Sequence, residues 1–196
     1  MYYQANLKKY ITIIFFALQL FIIVSLIITQ KSDYIRDVIF ITTIAALYIL
    51  LEAKYSILVN NFIRLCLTIV ILVHEIAGKI FDLYLISATF DKYLHAFGIY
   101  SLVLFVYTIM KQFTKMDFKS WLNKFIFLVL VGISLGAIFE ILEFLADTII
   151  TQKLPNQPNL LDTDLDLIAD VVGALIAALH ICFISRKHGD GSPASN

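Results

Sequence analysis

Acidic residues and histidine interrupt otherwise apolar sequence in three short segments. The first contains Asp91, His95 and Gly98, spaced at i, i+4 and i+7. On a helix these positions share one face, so a carboxylate and an imidazole lie side by side next to a residue that permits close approach. Such a pair can bind a metal ion or relay a proton.

The second segment carries Glu140, Glu143 and Asp147 at i, i+3 and i+7, near the end of a long apolar run. These positions again share one helical face. Seven residues at about 1.5 Å each place Glu140 roughly 10 Å below the end of its span at Asp147. The pattern therefore predicts a carboxylate inside the membrane.

The third segment opens the last apolar run, where Asp166, Asp170 and Gly173 share a helical face. Asp162 or Thr163 is predicted to cap this helix, and early carboxylates suit the positive end of a helix dipole. Some of these acids therefore have a structural use, and Asp162 is only a further candidate for the site.

Two other polar residues are further candidates. His74 lies at the end of the third apolar run, and residues 74–90 are typical of a short interfacial helix or lid from which His74 can reach a pocket. Lys92 can supply a cation to an anionic lipid head group, although a lysine at the end of a span more often snorkels to the interface.

Composition indicates the solvent of the protein. Of its 196 residues, 60% are hydrophobic and only 15% charged, which suits lipid better than water. Basic and acidic residues number 15 each, so no basic field favours nucleic acid as a partner. The expected partner is membrane lipid. Cys66 and Cys182 lie in apolar runs without metal-ligand spacing and are interpreted as packing residues.

These runs predict an all-α membrane helix bundle with about six transmembrane helices in a single domain over residues 1–185. Residues 11–29 are long enough to cross a hydrocarbon core of about 30 Å, and the small-residue cleavage site of a signal peptide is missing after them. The second run is the shortest and also fits a re-entrant segment. The predicted spans are 11–29, 34–51, 58–74, 92–110, 122–147 and 166–185.

Basic residues predict the orientation. Nine of them flank the spans on the side of the N-terminus, among them Lys8, Lys9 and Lys115, and five lie on the other side, among them Lys79 and Lys153. Both termini are therefore predicted to be cytoplasmic, in a multi-pass protein of the prokaryotic plasma membrane. Residues 186–196 are predicted to be a disordered tail.

All three acidic segments then lie towards the outer ends of their helices. An acidic side chain at a helix centre costs about 2.5 to 3.5 kcal/mol, so these carboxylates are expected to face inward rather than lipid. The sequence predicts one polar pocket near the outer leaflet, formed by three helices.

At these motifs the chain resembles the VanZ-like and YjdF-like families of small polytopic membrane proteins, over roughly residues 70–180. Asp91-Lys92-x-x-His95 is similar to an element of the VanZ-like pattern, and Glu140 matches a glutamate common to both families. The acidic residues Glu143 and Asp170 favour the YjdF-like group. That group has no established activity to carry over, and the antibiotic-resistance role associated with VanZ-like proteins is not transferred.

Three functions fit the pocket. The first is a metal-assisted hydrolase or transferase acting on a lipid or lipid-linked phosphate, with Mg, Mn, Fe or Zn as the metal. Its proposed base is Glu140 or Glu143, and its proposed ligands are Asp91, His95, Glu140, Asp166 and Asp170. The second function is a proton- or cation-coupled carrier, and the third is a structural or regulatory membrane protein. The sequence leaves these open, and Glu140 is the residue on which the first depends most.

Overall fold

The computed structural model describes residues 2–114, 116–150 and 155–187. All regular secondary structure within these ranges is helical, as the sequence predicts. Lys115, Lys153 and positions 188–196 of the predicted tail lie outside the described residues. The chain divides into two compact units, residues 1–94 and residues from His95 onwards. The prediction of a single domain stays a prediction.

The N-terminal unit contains four helices and two shorter helical segments. Helix α1 covers Tyr2–Ile28, and a 3-10 turn at Ser32–Tyr34 leads into α2, Ile35–Lys54. Helix α3, Asn61–Leu72, continues as a π-helical segment, Val73–Ile80, and α4 is a single turn at Leu83–Ile86. Helix α5, Phe90–Phe113, begins here and provides His95 to the second unit.

The C-terminal unit contains the remainder of α5 together with α6, Trp121–Ile150, and α7, Leu160–Lys187. Small residues let α6 and α7 pack closely, as is common between membrane helices. A Cβ on Gly132 would overlap the Cβ of Ala174, and a Cβ on Gly136 would overlap the carboxylate of Asp170. Glycine at position 136 therefore makes room for an acidic side chain.

In the part of the chain that the structure describes, five helices are long and apolar enough to cross a membrane: Asn6–Ile28, Ser32–Lys54, Phe90–Phe113, Trp121–Ile149 and Leu160–Ile184. They correspond to five of the six predicted spans, including the short second one. The predicted span 58–74 is not among them: the α-helical part, α3, ends at Leu72, and the chain continues in π-helical geometry to Ile80. The whole helical stretch carries Arg64, Glu75 and Lys79, and charged side chains are unfavourable in a hydrocarbon core.

A buried ion pair joins α2 to α3 in the N-terminal unit. The Arg64 guanidinium donates to both carboxylate oxygens of Glu52, at 3.1 and 2.5 Å, and Lys8 of α1 lies 2.7 Å from the same carboxylate. Within this unit three helices are therefore joined through one acidic side chain.

The start of α7 corrects one prediction. The helix begins at Leu160, before either predicted cap, and the side chain of Asn159 accepts a hydrogen bond from the backbone N–H of Asp162 at 3.1 Å. Asn159 therefore caps the helix, and the prediction that Asp162 or Thr163 does so is wrong. Asp162 lies in the first turn, where its charge suits the helix dipole.

Close packing of α6 on α7 predicts that Gly132→Val destabilises the protein. The added carbons meet Ala174, and overpacking of this kind typically costs about 1 to 3 kcal/mol. Thermal unfolding of the purified protein in detergent measures the loss. The matched control is Ser134→Val, because Ser134 lies on the same helix but is exposed. Equal midpoints for the two variants would contradict the close contact.

Candidate functional site

The C-terminal unit buries one histidine among three carboxylates. His95 comes from α5, Glu140 from α6, and Asp166 and Asp170 from α7, and all four side chains are buried. The spacing of Asp166 and Asp170 puts both acids on one face of α7, as the sequence predicts. Three of the predicted faces therefore meet in this unit.

Both ring nitrogens of His95 face carboxylates. Nδ1 lies 3.1 Å from Oδ1 of Asp170 and 3.7 Å from Oε1 of Glu140. Nε2 lies 3.8 Å from Oδ1 of Asp166. The imidazole can thus interact with acids on two sides at once.

His95, Glu140 and Asp170 form a group that could hold a metal ion. Each offers one ligand atom, and the three atoms lie within 4.8 Å of one another. Oδ2 of Asp170, the oxygen next to Gly136, is buried and accepts no hydrogen bond from the described residues. We name His95, Glu140, Asp166 and Asp170 the carboxylate/histidine cluster.

Sequence reasoning missed Gln157, which orients Glu140. The Gln157 amide donates to Oε2 of Glu140 at 2.7 Å and to the Glu140 carbonyl at 2.9 Å. Glu140 therefore has one oxygen held by Gln157 and the other directed towards His95. The only sequence signal for this contact is the loop before α7, which Pro155 and Pro158 predict to be extended.

Asp147 holds that loop in place. Its Oδ1 accepts hydrogen bonds from the backbone and side chain of Asn156, at 2.9 and 2.8 Å, and its Oδ2 accepts one from the backbone of Gln157, at 2.9 Å. Asp147 was placed by the sequence on the same helical face as Glu140. Its role is to fix the loop that carries Gln157.

Phe139 separates part of the cluster from the outer surface of α6. Its ring packs edge-on against His95, with centroids 5.4 Å apart, yet 42% of the residue is exposed. Neighbouring side chains on α6 are large, apolar and exposed, among them Ile138, Ile141 and Leu142. The cluster therefore lies directly behind a surface that suits lipid chains.

The other candidates have these positions. Glu143 is half-buried on α6, three residues after Glu140. Asp91 lies one helical turn before His95 on α5, and its carboxylate is 3.3 Å from the ammonium of neighbouring Lys92. His74, in the N-terminal unit, has Nδ1 at 2.5 Å from the hydroxyl of Tyr84. Asp162 lies in the first turn of α7.

A family model described as a predicted membrane protein (DUF2238) matches residues 10–187. The chain belongs to this family. The match includes most of the first candidate membrane-spanning helix, all of the other four, and every residue of the cluster. No curated protein and no solved structure matches this DUF2238 chain significantly. The family thus supports an integral membrane protein in contact with lipid.

The Gln157 contacts predict that Gln157→Leu loosens the loop at residues 155–159. Two donors to Glu140 are lost, and a hydrogen bond to a charged group contributes about 1.5 to 3 kcal/mol. Amide hydrogen exchange at the non-proline residues Asn156, Gln157 and Asn159 is expected to become faster. Gln112→Leu is the matched control, because Gln112 is exposed and its amide donates a hydrogen bond to the Thr108 carbonyl of its own helix. Unchanged exchange in Gln157→Leu would contradict the contact.

Proposed function

We propose that His95, Glu140 and Asp170 bind one divalent metal ion, and that the protein uses it to hydrolyse or transfer a lipid or lipid-linked phosphate. The observation that supports the proposal most directly is the grouping of the three buried ligand atoms within 4.8 Å. Ligands about 2.1 Å from a metal lie about 3 to 4 Å apart. The distances of 3.1 and 3.7 Å from Nδ1 of His95 agree with that range.

Charge also favours a cation. Three buried carboxylates and one imidazole leave an excess of negative charge even when the imidazole is protonated. Burying charge without compensation is unfavourable by several kcal/mol per ion. A divalent cation between Glu140 and Asp170 offsets this excess, as protons on the carboxylates would in its absence.

We propose that Asp166 accepts a hydrogen bond from Nε2 of His95, the ring nitrogen that does not bind the metal. A histidine that binds a metal generally donates its second N–H to a carboxylate or carbonyl, which fixes the tautomer. Asp166 lies on the Nε2 side of His95, whereas Glu140 and Asp170 lie on the Nδ1 side. Asp166 therefore orients His95 in this proposal, and Asp91 stays a predicted ligand.

The donor set limits the choice of metal. Two carboxylate oxygens and one imidazole nitrogen suit Mg, Mn, Fe or Zn rather than a soft-metal site. When bound, such a metal activates a water molecule and stabilises charge on a phosphoryl oxygen. Glu143, one turn beyond Glu140, is the proposed base that accepts the proton of that water.

Lipid is the proposed source of substrate. Exposed Phe139 contacts His95, so a head group could approach the cluster from the apolar surface of α6. With both termini in the cytoplasm, as the basic residues predict, the cluster lies in the outer half of the bilayer. We further propose YjdF-like membership within DUF2238, from acidic Glu143 and Asp170, and a prokaryotic plasma membrane as the location.

Metal analysis tests the ligands. Wild-type protein, reconstituted with Mn²⁺ or Zn²⁺ in detergent, is expected to retain stoichiometric metal after gel filtration, whereas Glu140→Gln and Asp170→Asn are expected to lose it. Asp166→Asn should weaken affinity by about 10- to 100-fold, as loss of an outer partner does. Asp164→Asn is the control, because Asp164 is an exposed acid on α7. Metal-free wild type, or equal retention in all variants, would refute the site.

A separate variant tests the base. Glu143→Gln is expected to keep its metal but to lower turnover of phospholipid or polyprenyl phosphate by about 10²- to 10⁴-fold, the usual contribution of general base catalysis. Phosphate release from mixed micelles measures turnover. Wild-type rates in Glu143→Gln would exclude this role, and loss of metal would make Glu143 a ligand instead.

A further inference from the structure

A second buried carboxyl group lies in the N-terminal unit, apart from the proposed metal ligands. Glu75, in the π-helical segment Val73–Ile80, is 0% exposed. Its Oε2 accepts a hydrogen bond from the Gln19 amide of α1 at 2.6 Å. Its Oε1 is equally buried and accepts no hydrogen bond from the described residues. Departures to π-helical geometry often occur at functional sites.

We propose that Glu75 is a reversible proton-binding site, served by a hydrogen-bond chain through Gln19 and Thr42. The ligand of this site is the proton itself. The chain runs from the carboxyl group to the Gln19 amide and on to the hydroxyl of Thr42, which lies 2.9 Å from Oε1 of Gln19 and 2.7 Å from the Val38 carbonyl.

This chain has a complete arrangement for each charge state of Glu75. With Glu75 ionised, the Gln19 N–H donates to the carboxylate and the Thr42 O–H donates to Gln19. With Glu75 protonated, a turned amide accepts the carboxyl O–H and donates to the Thr42 oxygen, while the Thr42 O–H donates to the Val38 carbonyl. Only the proton on Glu75 is gained or lost, and Glu75, Gln19 and Thr42 stay hydrogen-bonded to one another in both states.

Charges around Glu75 also permit both states. Lys79, one turn later, is buried, but its ammonium is 3.3 Å from the carboxylate of Asp37 on α2 and lies over the Tyr34 ring. Lys79 is therefore shared with Asp37 rather than committed to Glu75. Three other titratable side chains on or near this segment are engaged elsewhere: Arg64 with Glu52, His74 with Tyr84, and Lys31 with Asp82.

Burial raises the pKa of Glu75 from 4.5 to about 7, and the Gln19 hydrogen bond and Lys79 lower it only in part. Because the folded-state pKa lies above the unfolded value, the folded protein holds the proton more tightly. This contribution to stability is fully present below pH 4.5 and is lost as pH rises through about 7. Near neutral pH both states of the chain are populated.

Infrared difference spectroscopy of the whole protein in detergent tests the site. The wild type is expected to show a protonated-carboxyl C=O band that disappears with a midpoint near pH 7, and Glu75→Gln is expected to lack this titrating band. Glu143→Gln, the same substitution at a half-buried glutamate of the other unit, should keep it. A titrating band that persists in Glu75→Gln, or a wild type without one, would overturn the proposal.

A second variant tests the chain itself and keeps the native glutamate. Gln19→Leu removes the donor to the ionised carboxylate, so the midpoint should move to higher pH by about one to two units, the equivalent of one hydrogen bond to a charged group. A midpoint that stays in place or falls would rule out the chain. This measurement decides the matter even where Glu75→Gln does not fold.

Discussion

A charged side chain that is buried away from water needs an ion pair or hydrogen bonds from other groups of the protein. This constraint applies to the buried ionisable side chains of both units. In the N-terminal unit Glu52 is met by Arg64 and Lys8, and buried Lys79 is met by Asp37. Each of these pairs joins two helices. Buried polar contacts therefore fix the positions of these helices relative to one another. Apolar packing alone is less directional and would allow the helices to slide.

The two units differ in how completely their buried acids are neutralised. Glu52 has two cations within 4.0 Å, whereas the three carboxylates of the cluster share one imidazole. Glu75 is intermediate, since the nearby cation Lys79 pairs with Asp37. At a buried acid that shares its cation with other acids, a proton or a metal ion can offset the remaining negative charge.

Backbone proximity is the second requirement of the cluster. Asp170 fits against α6 only because position 136 has no side chain, and α6 approaches α7 closely at Gly132 and Ala174. The loop before α7 then adds Gln157 to Glu140, and Asp147 holds the loop. The glutamate proposed as a metal ligand is thus positioned by its own helix and by a segment 17 residues away.

The sequence by itself determined the all-α class, the lipid environment, five of the membrane-crossing helices and the faces that carry His95, Glu140, Asp166 and Asp170. These features depend on helical periodicity and on the unfavourable transfer of charge into lipid, which are local properties.

Tertiary structure decided the end of α3 at Leu72, the cap at Asn159, and the contacts of Gln157 with Glu140 and of Gln19 with Glu75. Gln19 and Glu75 are 56 residues apart and lie in separate apolar runs. The spacing of residues within either run does not indicate that the amide and the carboxyl group will be in contact. Such contacts depend on how whole helices pack, because that packing determines which buried polar atoms lie within hydrogen-bond distance.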